Sequence, residues 1–217
     1  MFHLILADSE LELIPKEIQK SSIVLDLARK RRKDPKSILL DSNIHYKAMK
    51  ELKEYERRGR PDIVHLTLLL AQDSVLAHEG LLQTYVHTRN NDVIFIDPTT
   101  RLPKSYNRFT GLIESVLLGK ETELLRLKRL TLLDLVSKIN PKKSVCFSEG
   151  GTAVNLLKFV FEIPKDTCFI IGGFPHGDFI SPVATISDEI VKIYDTSLNA
   201  ASVLSELLTT LRYTFIP

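Results

Sequence analysis

The chain has 217 residues, 44% of them hydrophobic and 26% charged, with 29 lysines and arginines against 27 aspartates and glutamates. Such a chain can bury one substantial core. It contains no run near the roughly 18 uninterrupted apolar residues of a membrane span, and its N-terminus has no basic region leading into a signal-like apolar stretch. The expectation is a soluble intracellular protein, cytoplasmic, or nucleolar if the source is eukaryotic. Cys146 and Cys168 lie in apolar, strand-like segments away from any metal-ligand spacing and read as buried reduced thiols. The net charge of +2 hides clustering, with basic residues gathered at 29–33, 57–60, 101–108 and between 120 and 143. Separate basic clusters on a nearly neutral chain point to an anionic partner, nucleic acid first, although each alone is also an ordinary solvated face.

In chain order, residues 2–7 read as a first strand, followed by a helical stretch from 23 to 29 and a mobile basic loop over 29–37. Ser42 is placed to cap a helix over 43–58, with Ile44, Met49, Leu52 and Tyr55 on one face and Gly59-Arg60-Pro61 ending it. The apolar run 63–71 reads as a buried strand, because it follows a proline and opens with a β-branched residue. Residues 81–88 and 93–97 flank Arg89-Asn90-Asn91-Asp92, a hairpin signal. A helix is expected over 105–118, led by Pro103, and a second over 121–138. The remainder alternates strand 145–148, helix 153–161, strand 167–171, strand 189–193 and helix 200–211. Alternation of this kind predicts an α/β domain with a mainly parallel sheet. No repeat or flexible linker divides the chain, so residues 1–217 are read as a single domain.

Three late loops follow three late strands: Ser148-Glu149-Gly150-Gly151, Gly172-Gly173-Phe174-Pro175-His176-Gly177-Asp178, and Tyr194-Asp195-Thr196-Ser197-Leu198. On parallel neighbours they converge on one sheet edge and can enclose a small ligand, a nucleoside held by backbone groups and apolar walls. The glycine segment is also compatible with a plain structural turn. Neither a phosphate-binding Gly-x-x-x-x-Gly-Lys-Ser/Thr loop nor an early Gly-x-Gly-x-x-Gly is present. Arg101, Lys104 and Arg108 stand at i, i+3 and i+7, a spacing that on a helix aligns cations for successive phosphates, with Tyr106 and Phe109 able to stack or pack. Asp62 is placed to hold Arg60 by a salt bridge. Asp73, after the apolar run, reads either as a helix cap or as a catalytic carboxylate. His65 reads as a hydrogen-bonded core residue, and His176 has no second histidine or cysteine at ligand spacing, so no metal is expected.

Together, Leu6-Ala-Asp-Ser9, Arg60-Pro-Asp-Ile-Val-His65, Asp73-Ser74, Arg101-Leu-Pro-Lys-Ser-Tyr-Asn-Arg-Phe-Thr-Gly-Leu112, Ile171-Gly-Gly-Phe-Pro-His-Gly-Asp178 and Tyr194-Asp-Thr-Ser-Leu-Asn-Ala200 resemble a known family. It is the pseudouridine N1-specific methyltransferases of small-subunit ribosome biogenesis, in the SPOUT superfamily. The resemblance implies a SPOUT-like α/β fold with helices on both faces of a mainly parallel sheet and a small inserted hairpin or helical extension, with the hairpin at 81–97. It also implies a C-terminal trefoil knot over 144–217 that binds S-adenosylmethionine. It implies a homodimer acting on a small-subunit rRNA hairpin, with small-subunit ribosomal proteins as further partners and no membrane. Carried over by position, Ser148, Gly172, Gly177, Ile193, Tyr194, Asp195, Thr196, Ser197 and Leu198 would hold the cofactor. Arg60, Arg101, Lys104 and Arg108 would hold RNA, Asp62 would fix Arg60, and Asp73 would accept or orient the proton lost by the base. The family often has arginine where this chain has Lys104, which keeps charge but loses a bidentate fork. Two other functions fit the same features: an assembly factor acting mainly by rRNA binding, and a ribose 2′-O-methyltransferase of the superfamily.

Overall fold

Strand β1 (Phe2–Ser9) turns Leu4 and Leu6 to one side and Ile5 and Ala7 to the other, and all four are buried. A strand apolar on both faces belongs at the centre of a parallel sheet. In the computed structural model, which describes residues 1–216, β1 lies there. The other strands are β2 (Leu82–Thr88), β3 (Asp92–Ile96), β4 (Leu125–Arg129), β5 (Lys143–Ala153), β6 (Thr167–Gly172) and β7 (Glu189–Lys192), in the order β4-β3-β2-β1-β6-β5-β7. Only the β2–β3 and β3–β4 pairings are antiparallel.

Helices α1 (Ser22–Arg31), α2 (Ser42–Met49), α3 (Pro61–Gln72), α4 (Val75–His78), α5 (Tyr106–Leu117), α6 (Leu132–Ile139), α7 (Leu156–Glu162), α8 (Val183–Ile186) and α9 (Ala200–Phe215) complete the chain. One sheet face is covered by α3, α4, α5, α7 and α9, through residues such as Leu68, Phe109 and Leu207, and the other by α6 and α8. A separate small core of Ile14, Ile18, Val24, Ile38, Leu40 and Met49 holds α1 and α2 together. The expected mainly parallel α/β sheet, with helices on both faces, is what the chain forms. The extension, however, is this helical unit between β1 and α3. The 81–97 hairpin is no insertion, because β2 pairs in parallel with β1 at the heart of the sheet.

The run 63–71 is helix, not strand. Pro61 occupies the first helical turn with Asp62 beside it, where a proline loses nothing and a carboxylate meets the positive end of the helix. Its apolar continuity arises because Val64 and Leu68 face the core while Leu66 and Leu70 remain exposed on the outer side. The segment 121–138 divides into β4 and α6. Leu125 and Leu127 alternate with Arg126 and Lys128, and Thr131 with Asp134 forms a capping box that restarts the chain as helix. Helix α2 ends at Met49, nine residues short of 58, and Asp41 caps it instead of Ser42. The chain then turns through a positive φ of 56° at Glu54 and brings Arg57 and Arg58 back onto Glu10 and Glu12. Residues 29–37 contain the end of α1 and a short 3-10 turn, not a free loop, and Arg31 and Lys33 both bond the buried Glu114 of α5.

Candidate functional site

The parallel strands β5, β6 and β7 end at one edge, and a cavity of about 970 Å3 opens there, closed on a further side by the first turns of α3. The three late loops line it, as their order along a parallel sheet requires. Strand β5 slips register against β7 between Phe147 and Thr152, so residues 148–151 bulge away from the ladder and form a wall. Gly151 permits this crossing: a Cβ there would lie 2.6 Å from the Val191 carbonyl carbon. Phe147, Ile171, Val191, Ile193 and Leu198 contribute apolar surface, Glu149 and Asp178 contribute carboxylates, and Ser197 Oγ donates to Glu149.

The glycine loop after β6 is shaped by its own packing. A Cβ on Gly173 would stand 2.2 Å from Ser9 Oγ, one on Gly172 would meet the Phe174 ring at 2.6 Å, and Gly177 has φ +83°. Two buried groups clamp this loop. Asp8 accepts hydrogen bonds from the Ile180 and Ser181 amides at 2.7 and 2.9 Å and from Ser181 Oγ at 2.7 Å, with His87 Nδ1 at 3.4 Å. Burial works to raise the Asp8 carboxyl, but the His87 and Ser181 bonds outweigh it and hold it below its ordinary value. Arg57 donates through Nε to the buried Glu10 at 2.6 Å and through Nη1 to the Asp178 carbonyl, and its guanidinium stacks 3.9 Å from the Phe174 ring centre. Sequence reasoning gave Asp8, Glu10 and Arg57 no role in the site. Asp8 sits in one of the quoted family segments, whereas Arg57 was hidden inside a basic cluster.

At the start of α3, Arg60 and Asp62 both line the cavity and form a bidentate pair at 2.9 and 2.8 Å. Burial pushes the Asp62 carboxyl up, but Arg60 and nearby backbone amides outweigh it, so it is held ionised. His65, a core residue as expected, stacks on Phe109 and bonds the Pro103 carbonyl at 2.8 Å. It thereby ties α3 to the segment carrying Arg101 and Lys104. Those two and Arg108 are exposed and form no ion pair among the described residues. They do not share one helical face: Ser105 caps α5, so only Arg108 is helical.

Of the expected cofactor residues, Ser148, Gly172, Gly177, Ile193, Tyr194, Thr196, Ser197 and Leu198 line the cavity. Asp195 does not; it is 93% exposed and faces Lys192. Asp73 is outside as well. It caps the far end of α3, eleven residues and thus ~16 Å along the axis from Asp62, with its side chain 77% exposed beside His78. The placement of Asp73 past a strand on the ligand edge fails because 63–71 is helical.

A nucleoside-sized cavity at the carboxyl edge of a parallel sheet, with the Arg60–Asp62 pair in its wall and an exposed basic segment tied to the same helix by His65, defines an α/β protein built to hold a small cofactor. The chain belongs to the EMG1/NEP1 methyltransferase family, whose model matches residues 4–212. It is 47% identical to the ribosomal RNA small subunit methyltransferase Nep1 of Thermococcus sibiricus, over 96% of each chain. It is 43% identical to the protein of that name from Pyrococcus furiosus, over 95% of this chain and 94% of that one. Its structure matches the crystal structure of Archaeoglobus fulgidus Nep1 bound to S-adenosylhomocysteine with a TM-score of 0.87, at 33% identity and 97% coverage of both chains.

Proposed function

We propose that this chain methylates small-subunit rRNA from S-adenosylmethionine, and that its target atom is N1 of a pseudouridine in a hairpin loop. The cavity carries this reading. Its volume lies within the roughly 300–1,000 Å3 of small-molecule sites, its apolar walls suit an adenine, and Glu149 and Asp178 suit an ammonium group. When bound, S-adenosylmethionine supplies an electrophilic methyl group on a sulfonium. The residues of the chain then hold the acceptor in line with that methyl and exclude water, a contribution that positioning alone makes large. Arg60, fixed by Asp62 at the cavity wall, is placed to grip a phosphate of the target nucleotide, and Arg101, Lys104 and Arg108 to extend the grip along the strand. A base must leave its stack to reach the cavity, which favours an unpaired loop.

Pseudouridine is joined to ribose through carbon, so its N1 carries a proton and can form a bond to methyl, whereas N1 of uridine is already bonded to ribose. That proton must be removed. Asp62 is committed to Arg60, and Asp73 can serve only if a partner subunit delivers it. A homodimer through the cavity rim would allow this, and the exposed Leu66, Tyr194 and Leu198 there favour such contact. Reading 144–217 as knotted is supported by the strand order, in which the chain passes from β6 across β5 to β7. The deciding measurement compares two identical rRNA hairpins with uridine or pseudouridine at the target: methyl transfer to pseudouridine alone is expected, and equal transfer to both would sink the assignment. On the pseudouridine hairpin, an unchanged single-turnover rate for Asp73→Asn would remove Asp73 from the chemistry.

A further inference from the structure

We propose that the cleft between α1, α2 and α5 is a second nucleobase site, which holds an unpaired base of the rRNA hairpin flanking the target. The cleft encloses about 360 Å3, enough for one heterocycle, over an apolar floor that includes Leu27 and Leu39. His45, one of its walls, is fully buried, and its Nδ1 accepts the Asp41 amide proton at 3.0 Å. The neutral ring therefore carries its proton on Nε2, and that N–H has no partner among the described residues. Burial holds the imidazole below its ordinary pKa, in agreement with the neutral form.

The cleft wall also carries two buried carboxylates: Asp41, whose Oδ2 takes the Tyr106 hydroxyl at 2.5 Å, and Glu114, whose oxygens are taken by Arg31, Lys33 and the Leu39 amide. An unmade N–H donor, the Asp41 carboxylate and an aromatic edge over an apolar floor complement a flat ring that carries a carbonyl beside a ring N–H. Arg31 lines the cleft but is paired with Glu114, so among the described residues the cleft offers no unpaired cation to a phosphate. The site is also on the right surface. Tyr106 and Asn107 belong to the cleft, Lys104 and Arg108 flank them in sequence, and Asp41 and Tyr106 act electrostatically on Arg60. A strand gripped by those cations passes the mouth of the cleft.

This inference rests on the rRNA-binding reading, so its test reads RNA binding rather than methyl transfer. Fluorescence anisotropy is measured on hairpins with single abasic positions around the target, for the wild-type chain and for Ile44→Trp. Ile44 lines the cleft yet is 48% exposed, so tryptophan fills the mouth without entering the core. One flanking abasic position is expected to weaken wild-type binding about tenfold, the scale of one stacked base. Ile44→Trp should bind the intact hairpin correspondingly less well and be indifferent to that position. His45→Phe, checked for folding by thermal denaturation, should repeat the pattern. The same position dependence in wild type and Ile44→Trp overturns the proposal. So does saturable binding of free nucleosides at the cleft, seen by NMR, with no abasic position mattering; that result assigns a free nucleobase. If the wild-type chain binds no hairpin at all, the rRNA reading itself falls.

Discussion

Two basic segments, 57–60 and 101–108, look alike in composition and behave oppositely in the folded chain. In the first, Arg57 is locked between Glu10, Phe174 and the Asp178 carbonyl, and Arg58 forms two 2.7 Å bonds to Glu12. Only Arg60 is left facing the cavity, and it is held by Asp62. In the second, Arg101, Lys104 and Arg108 remain exposed. Cations whose counter-charges lie in the segment just after β1 become internal struts, whereas cations without such partners stay exposed. The pattern of carboxylates elsewhere in the chain, not the basic run itself, decides which.

The largest effect that can break this contrast comes from Arg57→Ala. Removing one member of a buried, hydrogen-bonded ion pair costs roughly 3–5 kcal/mol, and here it also releases the loop that walls the cavity. Urea unfolding should show that loss, and calorimetric titration with S-adenosylhomocysteine should show affinity reduced more than tenfold. Unchanged unfolding would return Arg57 to the ordinary surface. Asp8→Asn comes next, at about 1–3 kcal/mol for imperfectly replaced buried bonds. Because folding lowers the Asp8 carboxyl below its ordinary 3.8, the stability it confers is fully present above that pH. It disappears as pH falls through the lower folded value. The gap between wild type and Asp8→Asn should therefore be constant near neutrality and close below pH 3.8, as followed by unfolding free energy against pH.

Much of this was legible because it obeys local rules. The alternation of the late strands and helices placed three loops on one edge, and eight of the nine expected cofactor residues line the cavity there. What was not legible depends on partners distant in sequence. Helix α3 looked like a strand because it packs on the sheet, meets α9 and keeps Leu66 and Leu70 outside, so it has no polar face to reveal a period. Its Arg60-Pro61-Asp62 start was the overlooked signal. Asp73 was misplaced as a direct result, since a strand and a helix of the same sequence deliver their last residue to different edges of the fold. Gly172 and Gly177 line the cavity while Gly173 does not, and each of the three answers to a side chain or backbone conformation of the chain itself.

Arg108→Ala sharpens the comparison from its other side, with the smallest effect on the fold. The side chain is exposed and unpaired among the described residues, so unfolding should shift by no more than about 0.5 kcal/mol. Its cost should fall on RNA instead. Each phosphate neutralised on a single strand contributes about 0.7 to the slope of log affinity against log salt, so the variant should bind the hairpin more weakly and with a slope shallower by about that amount. Lys104→Arg runs the test in reverse: it adds a planar fork at constant charge, so affinity should rise while the salt slope stays the same. A change of slope with Lys104→Arg, or none with Arg108→Ala, would mean that these cations meet something other than phosphate, and the division between internal struts and phosphate-binding residues would have to be redrawn.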